Sequence, residues 1–195
     1  MTKTHRFIGK YPLGQGTVRI DDAMLAHQMR SVLKLPPGET VLIGDGTGLE
    51  GNCVILEYHH DTVLVRCDSV GRNPNELPLA ITLYCSVLNA NDFERAAAKA
   101  AEIGVRRLVP LVGTNTGKLN LRTEHIERII REAAELAGRG IIPVVSPVTD
   151  LALAWTEASG NDVNYFFDPS GKKFRNPAKG ARTAGIFIGP EAGRD

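Results

Sequence analysis

The sequence predicts an α/β protein in two parts, a small β-barrel followed by a parallel α/β domain. Short runs rich in β-branched residues fill about the first 70 positions. Residues 73–78 then include two prolines and several turn-forming residues, a composition typical of a linker. After this linker, strand-like and helix-like stretches alternate, which indicates a parallel sheet. We therefore expect one domain over residues 1–72 and a second over residues 79–195.

The first domain combines several β-like runs with one helix. The strands are predicted at residues 17–20, 40–43, 51–57 and 62–70. Asp21 is expected to cap a helix over residues 22–33, and the prolines that follow would end it. The glycine-rich stretch 44–48 lies between two strands with no helix behind it. A hairpin turn is therefore favoured there over a phosphate-binding loop.

The second domain alternates between the two element types. Strands are predicted at residues 79–87, 107–112, 144–146, 163–167 and 185–188. Helices are predicted at residues 92–103 and 123–137, and from Thr149 or Asp150 to about residue 157. The first two helices have apolar residues at helical spacing and are expected to stop at Gly104 and Gly138. Continuous apolar strands predict a parallel sheet covered on both faces.

The composition excludes several functional classes. The 195 residues carry a net charge of +1, so the chain is not a polybasic tail, although a local basic face is compatible with that value. The sequence has no run of about 20 apolar residues and no signal-peptide block, so we expect a cytoplasmic protein without a membrane span. The histidines and cysteines lack zinc-ligand spacing, which predicts no metal site. Cys53, Cys67 and Cys85 are expected to be buried structural thiols.

One candidate ligand loop follows the last predicted strand. Residues 186–188 lead directly into Gly189-Pro190-Glu191-Ala192-Gly193, and ligands of parallel sheets bind at the carboxyl ends of strands. Glycines let a ligand approach the backbone, and exposed amides can bind its polar groups. The pattern is equally compatible with an ordinary strand-to-helix turn. It matches neither a Walker loop nor a G-x-G-x-x-G fingerprint.

Basic residues provide candidate contacts for RNA, each with an alternative. Arg30 and Lys34 lie four residues apart at the end of the first helix, and form either a patch for an RNA backbone or a solvated face. Lys99 reaches a phosphate or, as its spacing favours, joins ion pairs on the surface of its helix. Arg139 follows the helix stop and either caps carbonyl groups or binds phosphate.

Taken in order, these motifs resemble the RsmE family, the bacterial ribosomal RNA small subunit methyltransferase E proteins. Residues 27–35, with residues 37–39 and 45–48, are similar to the family's N-terminal module. The match continues with K-A-A-E-I-G-V at 99–105, E-A-A-E-L-A-G-R at 132–139 followed by Ile142-Pro143, and I-G-P-E-A-G at 188–193. Each motif is short, but their common order and spacing along nearly the whole chain make the resemblance specific.

The resemblance implies a PUA-like β-barrel that binds RNA and a SPOUT-type methyltransferase domain with a C-terminal trefoil knot. It implies transfer of a methyl group from S-adenosylmethionine to N3 of one uridine in 16S ribosomal RNA of the small ribosomal subunit, by a homodimer. Methylation of a ring nitrogen needs no cysteine adduct, but an arginine can stabilise the uracil anion. By position, Arg6 is the candidate catalytic residue. The implied cofactor-binding residues are Ile188, Gly189, Pro190, Glu191 and Gly193, and the candidate RNA-binding residues are Arg6, Arg30, Lys34, Lys99 and Arg139.

The sequence also departs from the family pattern. Leu136 stands where the family usually has glutamine, Ala192 replaces a glycine, and Asn115-Thr116 replaces Arg-Ser. The family continues beyond the position of Asp195, so we expect the knot-forming C-terminus to be missing from this chain. These departures leave two alternatives. One is an RNA-binding protein with a degenerate, inactive methyltransferase domain, and the other is a different α/β enzyme that binds a nucleotide with residues 189–193.

Overall fold

The computed structural model describes residues 4–87, 89–112, 121–167 and 179–189. The chain divides into two compact units. Unit 1 comprises residues 1–76 and 134–142, and unit 2 comprises residues 77–133 and 143–195. The predicted class, an N-terminal β module followed by a parallel α/β sheet, is confirmed.

The described part of unit 1 contains a five-stranded sheet in the order β1-β3-β4-β5-β2. Its strands are β1 (His5–Ile8), β2 (Gly16–Asp21), β3 (Thr40–Gly44), β4 (Leu49–His59) and β5 (Thr62–Arg72). Neighbouring strands are antiparallel except β1 and β3, which are parallel. All four predicted strands are present, and the predicted hairpin turn joins β3 to β4. Strand β1 was not predicted, because four residues are too few to show an alternating pattern.

The helix of unit 1 begins one residue later than predicted. Helix α1 (Ala23–His27) is capped by Asp22, whose carboxylate accepts from the Leu25 amide at 3.0 Å. The prediction of Asp21 as the cap was wrong, because Asp21 ends β2 and its carboxylate accepts from the Arg19 and Thr62 side chains. The following residues, Gln28–Val32, form a wider π-helical turn, so the predicted single α-helix over 22–33 is also corrected.

The core of unit 1 lies between the sheet and this helix. It consists of buried residues from every strand and from the helical segment: Phe7, Ile20, Leu25, Met29, Leu35, Val41, Ile43, Cys53, Ile55, Val63, Val65 and Cys67. Cys53 and Cys67 face each other across β4 and β5 and form a disulfide. Both were expected as separate buried thiols. Their burial is as predicted, but their pairing depends on strand register that spacing in the sequence does not reveal.

The described part of unit 2 contains a parallel sheet in the order β10-β11-β6-β7-β8, with β9 also paired to β7. The strands are β6 (Ala80–Ser86), β7 (Arg107–Val112), β8 (Val144–Val145), β9 (Thr149–Asp150), β10 (Val163–Phe167) and β11 (Thr183–Ile188). Each predicted strand is present with shifts of one or two residues at some ends. Strand β9 was not predicted, because its two residues directly precede a helix and were both interpreted as candidates for the helix cap.

The helices that begin in unit 2 are α2 (Ala90–Ile103), α3 (Thr123–Leu136) and α4 (Leu151–Ala158). The apolar face predicted for α2 is confirmed, with Phe93, Ala97, Ala100 and Ala101 buried. Gly104 and Gly138 take left-handed conformations, with φ of 88° and 71°, where the helices were predicted to stop. Asp150 caps α4, one of the two residues predicted for that role.

Candidate functional site

The carboxyl edge of the unit 2 sheet is where a parallel α/β sheet usually binds its ligands. From β6 the chain proceeds to β7 and β8 on one side, and then returns to β10 and β11 on the other. Strands β6 and β11 are therefore parallel neighbours, although one is the first strand of unit 2 and the other is its last described strand. Ile188 at the end of β11 is paired with Cys85 at the end of β6. The carboxyl ends of β6 and β11 therefore lie side by side at this edge.

Two of the predicted cofactor residues lie at this edge. Ile188 is the last residue of β11 and is 44% exposed. Gly189 follows it, and a Cβ placed on Gly189 would meet no atom within 4 Å. The backbone there adjoins open space that a bound group could fill. Pro190, Glu191 and Gly193 lie outside the described residues, as do Ala192 and Asn115-Thr116.

Polar groups that belong to two helix starts lie along the same edge of the sheet. Asn89 follows β6 and caps α2, accepting from the Asp92 amide at 2.9 Å. Asp150 is paired with Val112 at the end of β7 and accepts from the Leu153 amide at 2.8 Å. Within the described residues, the buried hydroxyl of Thr149 has no hydrogen-bond partner. The edge therefore offers polar groups beside an apolar strand end, as binding sites for small molecules usually do.

Aromatic rings support this edge from within the sheet. Tyr84, Phe187 and Phe166 occupy paired positions on β6, β11 and β10, and their rings stack with centroids 4.3 and 4.6 Å apart. Burial raises the pKa of the Tyr84 phenol. Burial also raises the pKa of the Cys85 thiol, which keeps it protonated and a poor nucleophile at neutral pH.

A second group of predicted residues lies in unit 1, around the turn that follows α3. Arg6 on β1 forms an ion pair with Glu50 on β4, and its Nη1 also donates to the Gly138 carbonyl at 3.2 Å. The Asn73 amide donates to the same two acceptors, the Glu50 carboxylate at 2.9 Å and the Gly138 carbonyl at 3.1 Å. Two donors and two acceptors thus form a closed ring of hydrogen bonds, which we call the Gly138 ring.

Further contacts hold the segment 134–142 against the rest of unit 1. Arg139 donates to the Asn75 carbonyl, and Asn75 in turn donates to the Gly138 carbonyl at 3.0 Å. The Glu76 carboxylate accepts from the Gly140 amide at 2.7 Å. The Glu135 carboxylate accepts from the Ile8 amide at 3.0 Å. Arg6 and Arg139, distant in sequence, therefore meet at one turn, where both donate to protein carbonyl groups.

The remaining predicted basic residues lie apart from that turn. Arg30 lies in the π-helical segment and Lys34 just beyond it, and both are exposed. Lys99 on α2 is paired with Glu102 at 2.8 Å, with the Lys99 side chain 75% exposed. Lys99 therefore forms the surface ion pair that was the alternative to phosphate binding. An exposed ion pair of this kind contributes little to stability.

Several residues at the Gly138 turn have no distinguishing pattern in the sequence. Glu50, Asn73 and Glu76 occupy two separate stretches of the chain, and only the folded sheet brings them to the segment 134–142. Asn73 is 4% exposed, which a linker position does not suggest. The available signal was the polar residue at 50 beside a glycine-rich hairpin, but such residues are common in turns.

The described residues contain no cluster of three or more histidine, cysteine or acidic side chains suited to holding a metal ion. In the same residues, no helix is long and apolar enough to cross a bilayer.

Comparison with known proteins gives one family match. The family model described as an RNA methyltransferase domain matches residues 75–194. That range contains the candidate edge of unit 2, including Ile188 and Gly189, and also the segment 134–142. No curated protein matches the sequence significantly.

Solved structures with the same fold are more distant in sequence. A Legionella pneumophila protein described as a methyltransferase, in complex with the cofactor SAM, has a TM-score of 0.84 at 24% identity, over 100% of this chain and 83% of its own. Ribosomal RNA small subunit methyltransferase E from Neisseria gonorrhoeae, bound to S-adenosyl methionine, has a TM-score of 0.81 at 22% identity, over 99% and 82%. An RNA methyltransferase predicted in Thermotoga maritima has a TM-score of 0.71 at 21% identity, over 98% and 83%. These similarities establish a shared fold.

Proposed function

This chain belongs to the RNA methyltransferase domain family, and from that premise we propose that it uses S-adenosylmethionine to methylate N3 of a specific uridine in 16S ribosomal RNA of the small ribosomal subunit. The observation that supports the proposal most directly is the match over residues 75–194, which spans the carboxyl edge where β11 meets β6. The specific base and ribosomal subunit come from the resemblance to RsmE proteins.

The cofactor assignment is supported by the geometry of the candidate edge. The open space beside Gly189 and the exposed apolar side chain of Ile188 suit a ligand with both polar and apolar parts. Two structures with the same fold, from Legionella and Neisseria, contain S-adenosylmethionine. In this proposal Ile188, Gly189, Pro190, Glu191 and Gly193 bind the cofactor.

When bound, S-adenosylmethionine supplies an electrophilic methyl group. The protein must hold the uracil ring with N3 in line with that group and favour the anion formed when the imide proton leaves. No thiol adduct is required, which agrees with a buried Cys85 whose pKa is raised. Arg6 remains the proposed stabiliser of the anion, although its guanidinium is already paired with Glu50. The proposal also includes a homodimer, a cytoplasmic location, and RNA contacts drawn from Arg6, Arg30, Lys34, Lys99 and Arg139.

Methyl transfer tests this proposal directly. The chain is incubated with small ribosomal subunits and S-adenosylmethionine carrying a labelled methyl group, and the modified nucleoside is identified by mass spectrometry. We expect label in 3-methyluridine of 16S ribosomal RNA. A Gly189→Trp variant should lose transfer, because its side chain would fill the open space at the strand end. Label in another nucleoside would contradict the N3 assignment, and no transfer at saturating cofactor would contradict the activity.

A second candidate is an RNA-binding protein whose methyltransferase domain is degenerate. Leu136 favours it, because this residue replaces the family's glutamine and its side chain is 89% exposed. Calorimetry with S-adenosylmethionine separates the two candidates. Binding at micromolar affinity supports the enzyme, whereas RNA binding without cofactor binding supports the second candidate.

A further inference from the structure

Ion pairing sorts the arginines and lysines of residues 4–76 into two groups. Arg6, Arg19 and Arg66 are each paired with a carboxylate, of Glu50, Asp21 and Asp68 respectively. Within the described residues, Arg30 and Lys34 have no ion-pair partner. Lys10 and Arg72 share this property, but each stands alone on its own segment, whereas Arg30 and Lys34 lie four residues apart at one helix end.

The helix end that bears these two charges is fixed in place. The Leu33 amide donates to the Gln28 carbonyl and the Leu35 amide to the Met29 carbonyl, both at 2.9 Å. Lys34 adopts a left-handed conformation with φ of 54°, a backbone state that non-glycine residues take up infrequently. Met29 and Leu35, on either side of the charged residues, are buried in the core. The turn that bears Arg30 and Lys34 is therefore ordered.

Strand β4 supports this turn from one side. The Tyr58 hydroxyl donates to the Leu35 carbonyl at 3.0 Å. Burial raises the pKa of the Tyr58 phenol, and the positive charge of Arg30 opposes that shift. Arg30 is thus close enough to influence Tyr58 electrostatically. The nearest acidic group along β4, Glu57, is itself paired with His59 at 2.9 Å.

The surroundings of Arg6 and Arg139 are different. Their turn also contains the carboxylates of Glu50, Glu76 and Glu135, so two formal positive charges are accompanied by three negative ones. A phosphate approaching that turn would have to compete with Glu50 for Arg6 and would be repelled by the neighbouring carboxylates. The sequence pattern could not distinguish these two environments, because every carboxylate at the turn is distant in the chain or belongs to a helix end.

We propose that Arg30 and Lys34 form the surface of unit 1 that binds the RNA sugar–phosphate backbone, and that Arg6 and Arg139 hold the segment 134–142 and make no contact with RNA phosphates. The proposal rests on the proposed function only for the identity of the polyanion. It narrows the predicted set of RNA-binding residues by a physical criterion, whether the side chain is already bound to acceptors within the protein.

The test compares two double variants with equal changes in charge. Arg30→Gln/Lys34→Gln and Arg19→Gln/Arg66→Gln each remove two exposed positive charges from unit 1, so each takes the net charge from +1 to −1 (+1 − 2 = −1). Binding of a fluorescein-labelled single-stranded oligouridine is measured by anisotropy between low and moderate salt. For single strands, the slope of log K against log salt is reduced by about 0.7 for each lost phosphate contact.

We expect the Arg30/Lys34 double variant to reduce the magnitude of this slope by about 1.4, and the Arg19/Arg66 double variant to leave it unchanged. Equal effects of the two variants would overturn the proposal, since they would reflect net charge alone. An unchanged slope for the Arg30/Lys34 variant would overturn it as well. Arg139→Gln removes one positive charge from the Gly138 turn, and a reduced slope for this variant would assign Arg139 to the RNA and overturn the proposal.

The methyl transfer assay separates failure of this inference from failure of the proposed function. Transfer by the wild-type chain together with an unchanged slope for the Arg30/Lys34 variant overturns the surface and keeps the function. A reduced slope without transfer keeps the surface and contradicts the enzyme. The melting temperature of each variant is measured alongside, and we expect values within a degree or two of wild type because all four side chains are exposed.

Discussion

The guanidinium of Arg6 on β1 forms an ion pair with the carboxylate of Glu50 on β4, and both side chains are largely buried, with exposed fractions of 19% and 14%. Burial of this kind makes the loss of one partner costly, because the other charge is left without compensation. The same two residues share their ring with Asn73 and the Gly138 carbonyl. The stability of unit 1 should therefore depend on the ring more strongly than on any exposed ion pair.

Glu50→Gln should lower the free energy of unfolding by about 2 kcal/mol, because it removes the charge that compensates Arg6 while preserving the shape of the side chain. Urea denaturation measures this change. Glu57→Gln is the matched control, since Glu57 lies on the same strand and its pair with His59 is exposed. Equal stability of the two variants would mean that the buried pair contributes no more than the exposed one.

Asn73→Asp should be more damaging than its small chemical change suggests. The Asn73 amide nitrogen donates to two acceptors and its oxygen accepts from the Asn75 amide at 2.8 Å, so the side chain is fully used. A carboxylate would place an oxygen against Glu50, and we expect a loss of about 3 kcal/mol. Asn52→Asp, at an exposed position on β4, should cost little in the same denaturation experiment. If Asn73→Asp lowered the free energy of unfolding no more than Asn52→Asp does, that result would contradict the role of the ring.

Thiol titration should distinguish the three cysteines. Cys53 and Cys67 are joined in a disulfide, and Cys85 is buried with its pKa raised by that burial. We expect no rapid reaction of the native protein with a thiol reagent at neutral pH. Denaturation without a reductant should expose one thiol, and a Cys85→Ala variant should then expose none. Three reactive thiols in the denatured, unreduced protein would contradict the disulfide.

Replacement of Trp155 should show how much the aromatic cluster contributes to unit 2. The Trp155 ring lies 5.2 Å from Phe166 and 5.6 Å from Phe187, between ring centroids. Leu153 on the same helix has nearly the same exposed fraction, 55% against 54% for Trp155. We expect Trp155→Ala to cost about 1–2 kcal/mol more than Leu153→Ala, because aromatic pairs add to simple burial. Circular dichroism melts would detect the difference, and equal losses would exclude a specific ring contribution.

Acid should weaken the start of β11 through Asp162. Its carboxylate accepts from the amides of Arg182 and Thr183 at 2.7 and 2.9 Å, and these hydrogen bonds hold the pKa of Asp162 below its usual 3.8. Because the folded pKa is depressed, the stabilisation is present above pH 3.8 and is lost as the pH falls through the lower, folded value. Asp162→Asn should therefore melt below wild type at neutral pH, with a gap that narrows in acid. A gap independent of pH would contradict this role.

Local patterns in the sequence were sufficient for most helices and strands. The i, i+3, i+4 spacing on α2 and the stops at Gly104 and Gly138 depend only on nearby residues, so they could be predicted from the chain alone. The same holds for the β3–β4 hairpin, whose Asp45 carboxylate accepts from the Thr47 and Leu49 amides as its turn residues indicate. The strand before Gly189 was also predicted.

Long-range pairing decided the features that the sequence did not reveal. Strand β1 exists because it is paired with β3 more than 30 residues away, and Cys53 meets Cys67 only through the register of β4 and β5. Asp21 and Asp22 are indistinguishable as caps until β2 is paired through Asp21, which uses its carboxylate elsewhere.

The same division applies to the candidate site. The sequence by itself determined the family motifs, the glycine-rich stretch after residue 188 and the set of basic residues that could contact RNA. The tertiary structure decided which of those charges are compensated, because an ion pair such as Arg6–Glu50 joins residues 44 positions apart. Hydrogen-bond and charge partners depend on distances in space, and a sequence specifies such distances only within a helical turn or a hairpin.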